Sequence, residues 1–434
     1  MRIIPANQIL IQNVLLIDPF SPWHRQYVNL ALEQGYICQV SPVEQDLQIS
    51  LQNFRIFPAN GLSMTIGWFD LGAHFQDPGN EHKETLTSGC QAATQGGFTE
   101  VALLPNTQPV IAHKQEVAYI LQHNQPSQIV KVHPLAAVTQ DTAGKELTEM
   151  IDLIHAGAVG FTDGSKPLWN TDILLKTLQY LQPWDALLLN RPEDTWLAQL
   201  GQMHEGIQST FLGLKGIPAL AETLMVERDI NLLRYAGGKL HFTQISASDS
   251  LPLIAQAKQA GLSVSADVSA LHLTLTDENL HQLDTACKIS PPLRSHIDRE
   301  ALWQALANHT LDVICSGHHP QDEESKNLEF DLADFGAIGL ETFFGSLNTY
   351  APQWLLEDAM LAKFTSAPRQ LLRQPLPALR EGEKANFTLF DPQKIWTVNE
   401  QTIFSRSKNS PFWGQQLQGK AVAVCHNGLW AELD

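Results

Sequence analysis

Two textures of hydrophobic patterning divide the chain. Over residues 1–62 the apolar positions come in short runs, at 8–18, 28–32 and 35–41, broken by Pro, Gly and polar residues, which is the pattern of short strands. The C-terminal end reads the same way. Residues 385–391 form one strand-like run, and residues 420–428 form another that leads into an Asn427-Gly428 turn. Between these ends, apolar runs at 98–104, 129–134, 158–161, 186–189, 239–242, 262–266 and 311–315 alternate with helical periodicity, and an eighth run ends at Asp70. That alternation predicts parallel strands joined by crossover helices, and eight of them close most simply as an α/β (β/α)8 TIM-type barrel. The expected layout is a barrel over residues 63–375 and a small β-sandwich-like domain assembled from residues 1–62 and 376–434. The Gly96-Gly97 pair reads as a helix-to-strand turn.

Composition narrows the function. At 434 residues and 44% hydrophobic, the chain exceeds the roughly 250 residues of a single barrel, in keeping with a second, smaller domain. A net charge of −18, from 46 acidic against 28 basic residues, disfavours nucleic acid and anionic membranes as partners. The five cysteines, Cys38, Cys90, Cys287, Cys315 and Cys425, lack CxxC spacing, so neither a zinc knuckle nor a disulfide framework is expected. Residues 1–16 lack the features of a secretory signal, and no run approaches about 18 uncharged apolar residues. The expected setting is cytoplasmic. No P-loop, dinucleotide fingerprint or His pair at helical i, i+4 spacing is present.

Specific strings carry a resemblance. The segment Trp68-Phe69-Asp70-Leu71-Gly72-Ala73-His74-Phe75-Gln76-Asp77-Pro78-Gly79 resembles the opening motif of the dihydroorotases. So do Leu104-Pro105-Asn106-Thr107, Gly213-Leu214-Lys215-Gly216-Ile217-Pro218, Pro291-Pro292-Leu293-Arg294, Gly339-Leu340-Glu341-Thr342 and Ser407-Lys408-Asn409-Ser410-Pro411-Phe412. Together they span nearly the whole chain and identify it as similar to the bacterial dihydroorotase lineage of the amidohydrolase superfamily. That resemblance implies hydrolysis or closure of a cyclic amide of pyrimidine biosynthesis. A barrel-mouth metal supplies hydroxide, and an aspartate after the last strand moves the proton.

The landmarks of that chemistry are largely replaced. Where the family carries His-x-His-x-Arg, this chain has Gly72-Ala73-His74-Phe75-Gln76, losing one ligand and the substrate guanidinium. Asp163 falls at a carboxylate-ligand position, but Arg191 stands where the next His is expected and Gln244 where a further one is. The family's Asp-His-Ala-Pro-His reads Gly317-His318-His319-Pro320-Gln321, so the proton shuttle is gone. A guanidinium about 5 Å from a divalent ion would be opposed by roughly 6 to 7 kcal/mol at an effective dielectric near 20. His74 and Asp163 are then only remnant ligands, and no cofactor is expected.

Each of these residues also has a purely structural reading. His74 can be a packed polar side chain, Asp163 can begin its loop or pair with Arg191, Asn106 can simply make a turn, and His272, beside Leu271 rather than a second histidine, reads as packed. Three functions remain open at this stage. The first is a non-catalytic dihydroorotase homologue with a structural or regulatory role, self-associating and able to bind aspartate carbamoyltransferase. The second is an active dihydroorotase or other cyclic amidohydrolase whose zinc is held by a rearranged set such as His318, His319 or His272 with Asp163. The third is a small-molecule sensor built on the old pocket.

Overall fold

The computed structural model describes all residues except 46, 51, 352, 353 and 434. Eight parallel strands form the barrel: Trp68–Ala73, Phe98–Leu103, Lys131–Ala136, Gly160–Phe161, Leu188–Asn190, Leu240–Phe242, Val264–Ser269 and Val313–Cys315. Several begin a residue or two beyond the expected runs, because the preceding apolar residues pack under the strand as the helix turns into it. The first continues past Asp70 to Ala73, which carries Gly72 up to the barrel mouth.

The pairing ladder runs in strand order and opens between the first and eighth strands. That seam is closed by other means. Near the bottom, Phe69 N donates to Phe364 O (2.9 Å) and Ile314 N to Lys363 O (3.0 Å), so residues 363–364 are wedged between the two strands. Higher up, the buried Asp70 carboxylate accepts from Ser316 N (2.6 Å) and Ser316 Oγ (2.7 Å), and His74 N donates to His318 O (3.0 Å). Burial nonetheless raises the Asp70 pKa to about 6.

Local sequence explains the crossover helices. Thr85 caps Leu86–Gln95 in a reciprocal box with Ser88, and Asn170 caps Thr171–Leu181. The Gly96-Gly97 pair does turn the first of these helices into the second barrel strand.

Strand pairing joins both chain ends in one nine-stranded sheet. Its strands include Ile9–Ile17, Gln26–Glu33, Tyr36–Pro42, Phe387–Thr397, Gln416–His426 and Leu429–Glu432. Residues from opposite ends of the pairing order, such as Leu30, Ile37, Cys425 and Trp430, share one buried cluster, so the sheet curls over its own core. The Asn427-Gly428 hairpin has both central residues at positive φ, 54° and 75°, as a type I′ turn requires. The strand Ser63–Ile66 also belongs here, pairing with Leu15–Ile17 and with Phe387–Phe390. A boundary between 62 and 63 therefore splits this sheet, since backbone pairing to residues more than 300 positions away decides the strand's place.

Trp68 ties the two parts together. It is fully buried among Phe98, Phe343, Phe344, Phe364 and Phe390, with ring centroids 5.2 to 6.3 Å away. Beside it lies a buried polar knot. Arg369 donates to Glu100 Oε1 from Nε (3.0 Å) and Nη2 (2.7 Å) and to Gly67 O and Thr365 O, while His133 and Asn386 complete the Glu100 shell. Among the described residues no helix is long and apolar enough to cross a membrane.

Candidate functional site at the barrel mouth

The C-terminal ends of the barrel strands enclose a cavity lined by Gly72, His74, Arg191, Gln244, His272 and Gly317, which the sequence singled out, and by Ser165, Thr243, Asp267, Ser269, Ser290, Cys315 and His319 among others. The centre of a water-sized sphere has about 40 Å³ to move in. That is far below the roughly 300 Å³ and more of a usual ligand pocket.

Two imidazoles stack against each other in its lining. His74 and His319 stack with centroids 4.0 Å apart and planes 25° from parallel. The His319 imidazole thus occupies space beside His74. Burial, with His318 and Arg191 adding to it, lowers the His74 pKa to about 3, and burial depresses His319 strongly as well. Both rings are neutral near pH 7.

Arg191 leaves the fifth strand and lies buried across the cavity. Its Nη1 donates to Ser165 O (3.0 Å), and its Nη2 donates to Glu193 Oε2 (2.9 Å) and to Ser290 Oγ. The expected pairing with Asp163 is not what forms. Asp163 instead accepts from Val138 N (3.0 Å), Thr139 N (2.9 Å) and Thr139 Oγ1 (2.5 Å), holding the loop after the third strand. Its pKa rises to about 6 through burial, against the opposing effect of those hydrogen bonds. Glu193, two residues along the same loop, reaches Arg191 without crossing the barrel.

Three other candidates also turn away from the cavity. Gln76 donates to Pro320 O (3.0 Å) and Asn106 bridges Asp163 O and Ser165 N at 2.9 Å each. Gln321 joins Phe335 O to Lys83. His272 faces the cavity but is fully engaged: Ser269 Oγ is 2.7 Å from Nδ1 and Pro291 O is 3.1 Å from Nε2. Because a carbonyl only accepts, Nε2 carries the proton, and burial lowers this pKa to about 4. His318 is held likewise. Its Nδ1 accepts from Gly339 N (3.2 Å) and Leu340 N (3.4 Å), which leaves its Nε2 proton facing Glu84 Oε2 at 3.7 Å.

The two lost glycine positions differ. At Gly72 an added Cβ would meet nothing closer than Leu104 at 3.7 Å, whereas Gly317 has φ +69° and a Cβ there would sit 2.9 Å from Ser269 Cβ. Sequence reasoning missed Thr243, Ser290, Asp267 and Cys315. Their only signal is that each sits at or near the end of a barrel strand or in the loop beyond one. Asp267 forms the floor, accepting from Gln244 N (2.7 Å) and contacting His241 Nε2 at 2.9 Å.

The donor set does not fit a divalent ion. Glycine and a guanidinium offer no ligand, the Asp163 carboxylate is engaged by Val138 and Thr139, and among the described residues no three His, Cys, Asp or Glu side chains are grouped to hold a metal.

Comparison with known proteins gives a consistent picture. A family model described as dihydro-orotase-like matches residues 63–250. The chain is 40% identical over 423 residues to the dihydroorotase of Pelotomaculum thermopropionicum, covering 97% of each. It is 36% identical over 422 residues to that of Syntrophus aciditrophicus, covering 97% of this chain and 98% of the relative. Among solved structures, the L-hydantoinase of Arthrobacter aurescens aligns over 98% of this chain and 96% of its own with a TM-score of 0.84 at 20% identity. The dihydropyrimidinase of Brevibacillus agri aligns over 98% and 95% with a TM-score of 0.80 at 19% identity. At that identity the two structures speak for the fold.

Proposed function

Since the chain belongs to the dihydroorotase family of the amidohydrolase superfamily, we propose that it is a non-catalytic member, a dihydroorotase-like protein of pyrimidine biosynthesis that acts by association rather than by turnover. The observation that carries this reading is Arg191, a buried permanent cation lying across the cavity where a ligand to a divalent metal is expected. A single loss could be compensated. Here a ligand has become a cation, another a glycine, and the residue that should move the proton a second glycine in a left-handed conformation.

A rearranged metal set is disfavoured by the same geometry. His272 is committed to Ser269 and Pro291 O on its two ring nitrogens, His318 to the Gly339 and Leu340 amides through Nδ1, and Asp163 to Val138 and Thr139. Freeing any of them would strand buried polar groups, at about 1–3 kcal/mol each.

Association is supported by the surface beyond the fifth strand. Trp196, Leu200, Ile207 and Phe211 are each at least three-quarters exposed within one short stretch of chain. Monomeric proteins rarely leave so many large apolar side chains together in water. The occupant we assign is a second copy of this chain, with an aspartate carbamoyltransferase as the heterologous partner of the assembly. A contact of functional weight should bury about 1,000 Å² or more.

The test combines three measurements on purified protein. Dihydroorotate turnover should stay at background, zinc should be far below one equivalent, and sedimentation should show an oligomer that Ile207→Asp with Phe211→Asp dissociates. Turnover at roughly 1 per second or above would end the non-catalytic reading, and a wild-type monomer would end the self-association.

A further inference from the structure

We propose that the former metal pocket is now a receptor for a small anion, with Arg191 supplying the positive charge that a metal would have supplied. Arg191 is buried, yet its Nε has no hydrogen-bond partner. Native proteins rarely leave such a donor bare, and a charged donor least of all. Two further lining side chains, Thr243 and Gln244, make no hydrogen bond to the described residues, although both belong to the same loop after the sixth strand. Arg191 Nε and the side chains of Thr243 and Gln244 thus lack hydrogen-bond partners, and all three residues line a single cavity.

The remaining lining offers an anion little opposition. His74, His319 and His272 line it with imidazoles, which bring no negative charge. Asp267 is the one carboxylate among the lining residues. Its Oδ2 meets His241 at 2.9 Å, while its Oδ1 accepts from Gln244 N at 2.7 Å and lies 3.4 Å from Cys315 Sγ, so its charge is already answered. Glu193 engages only Nη2 of Arg191.

Size restricts the ligand. Space of about 40 Å³ for the centre of a water-sized sphere exceeds the roughly 10–15 Å³ that one water needs and favours a small ligand. Chloride, formate or the carboxylate head of a longer acid reaching in from the mouth would fit. This inference rests on the reading that the pocket holds no metal, and its failure is separable from that reading. Zinc-free protein that binds no anion loses the receptor and keeps the non-catalytic assignment.

The experiment is calorimetric titration of the full chain, in halide-free low-salt buffer, with sodium bromide, sodium formate and sodium succinate. One saturable site per chain is expected for at least one of them. Tight binding of formate or bromide alone marks a free small ion, and equal binding of succinate marks a carboxylate head. Arg191→Gln should weaken the site at least about tenfold, as the loss of a charge-assisted hydrogen bond does. Thr243→Val and Gln244→Leu keep Arg191 and its partners in place, and each should weaken binding several-fold while circular dichroism is unchanged. Bromide crystals should show an anomalous peak beside Arg191 Nε. No saturable site in the wild type overturns the proposal, and so does unchanged affinity in both the Thr243 and Gln244 variants.

Discussion

Replacing Gly317 by Ala isolates what a side chain at this position would cost the fold. Gly317 sits at φ +69°, and a Cβ there would lie 2.9 Å from Ser269 Cβ and 3.2 Å from Ser269 Oγ. An L-residue held in the left-handed region is penalised by about 1–2 kcal/mol. Forcing a methyl group into that contact adds about 1–3 kcal/mol of overpacking. Together these give about 2–5 kcal/mol, which at roughly 2–4 °C per kcal/mol for a domain of 150–250 residues lowers Tm by roughly 4–20 °C. Thermal unfolding of Gly317→Ala, Gly317→Asp and wild type is the assay. Ala and Asp should fall by similar amounts, because the strain belongs to Cβ and φ rather than to the carboxylate. A Gly317→Ala protein that melts with the wild type would refute the reasoning, since the loop would then relax freely around a side chain.

Gly72→Ala should change stability by less than about 1 kcal/mol, its Cβ having open space, and Gly72→His should fold yet restore no dihydroorotate turnover; measurable turnover in that variant would contradict the inventory of lost ligands. Arg369→Ala leaves Glu100 buried without its guanidinium and should cost about 3–5 kcal/mol, read as a lowered Tm, whereas an unchanged Tm would mean that water enters the knot. The pH dependence has a definite sign. His74, His204, His272 and His319 all have folded pKa values depressed by burial, so their contribution is fully present above the unfolded value near 6.5 and is lost as pH falls toward 3–4. Asp70, Asp163 and Asp229, raised to about 6, act the other way, contributing most below the unfolded value of 3.8 and losing it as pH rises through 6. With His133 and His426 also depressed, and Asp277 and Glu341 also raised, six imidazoles stand against five carboxylates, so Tm should fall between pH 6.5 and 4, and His319→Ala should make that fall shallower; an unchanged acid limb would show that His319 is not held neutral.

Much of this protein could be read from residue order. Strand and helix periodicity is a local property, so the alternating middle and the β-rich ends predict the barrel and the terminal sheet without any contact being known. The Asn427-Gly428 hairpin is equally local, because only a few residue types tolerate its two positive φ angles. That Gly72 and Gly317 bring no side-chain donor and Arg191 a permanent cation is also visible in the sequence, since it depends on what an atom set can do wherever it lies. Tertiary structure decided which groups those residues meet. Asp163 and Arg191 are 28 positions apart and come from neighbouring loops of one barrel mouth, yet they remain separate because Thr139 and Glu193 offer each a nearer partner. Ser63–Ile66 joins the terminal sheet and Asp70 closes the seam through Ser316 only because the folded chain brings distant segments within hydrogen-bond reach. A sequence determines which hydrogen bonds a side chain is able to make; packing determines which of the competing partners is close enough, and correctly oriented, to take them.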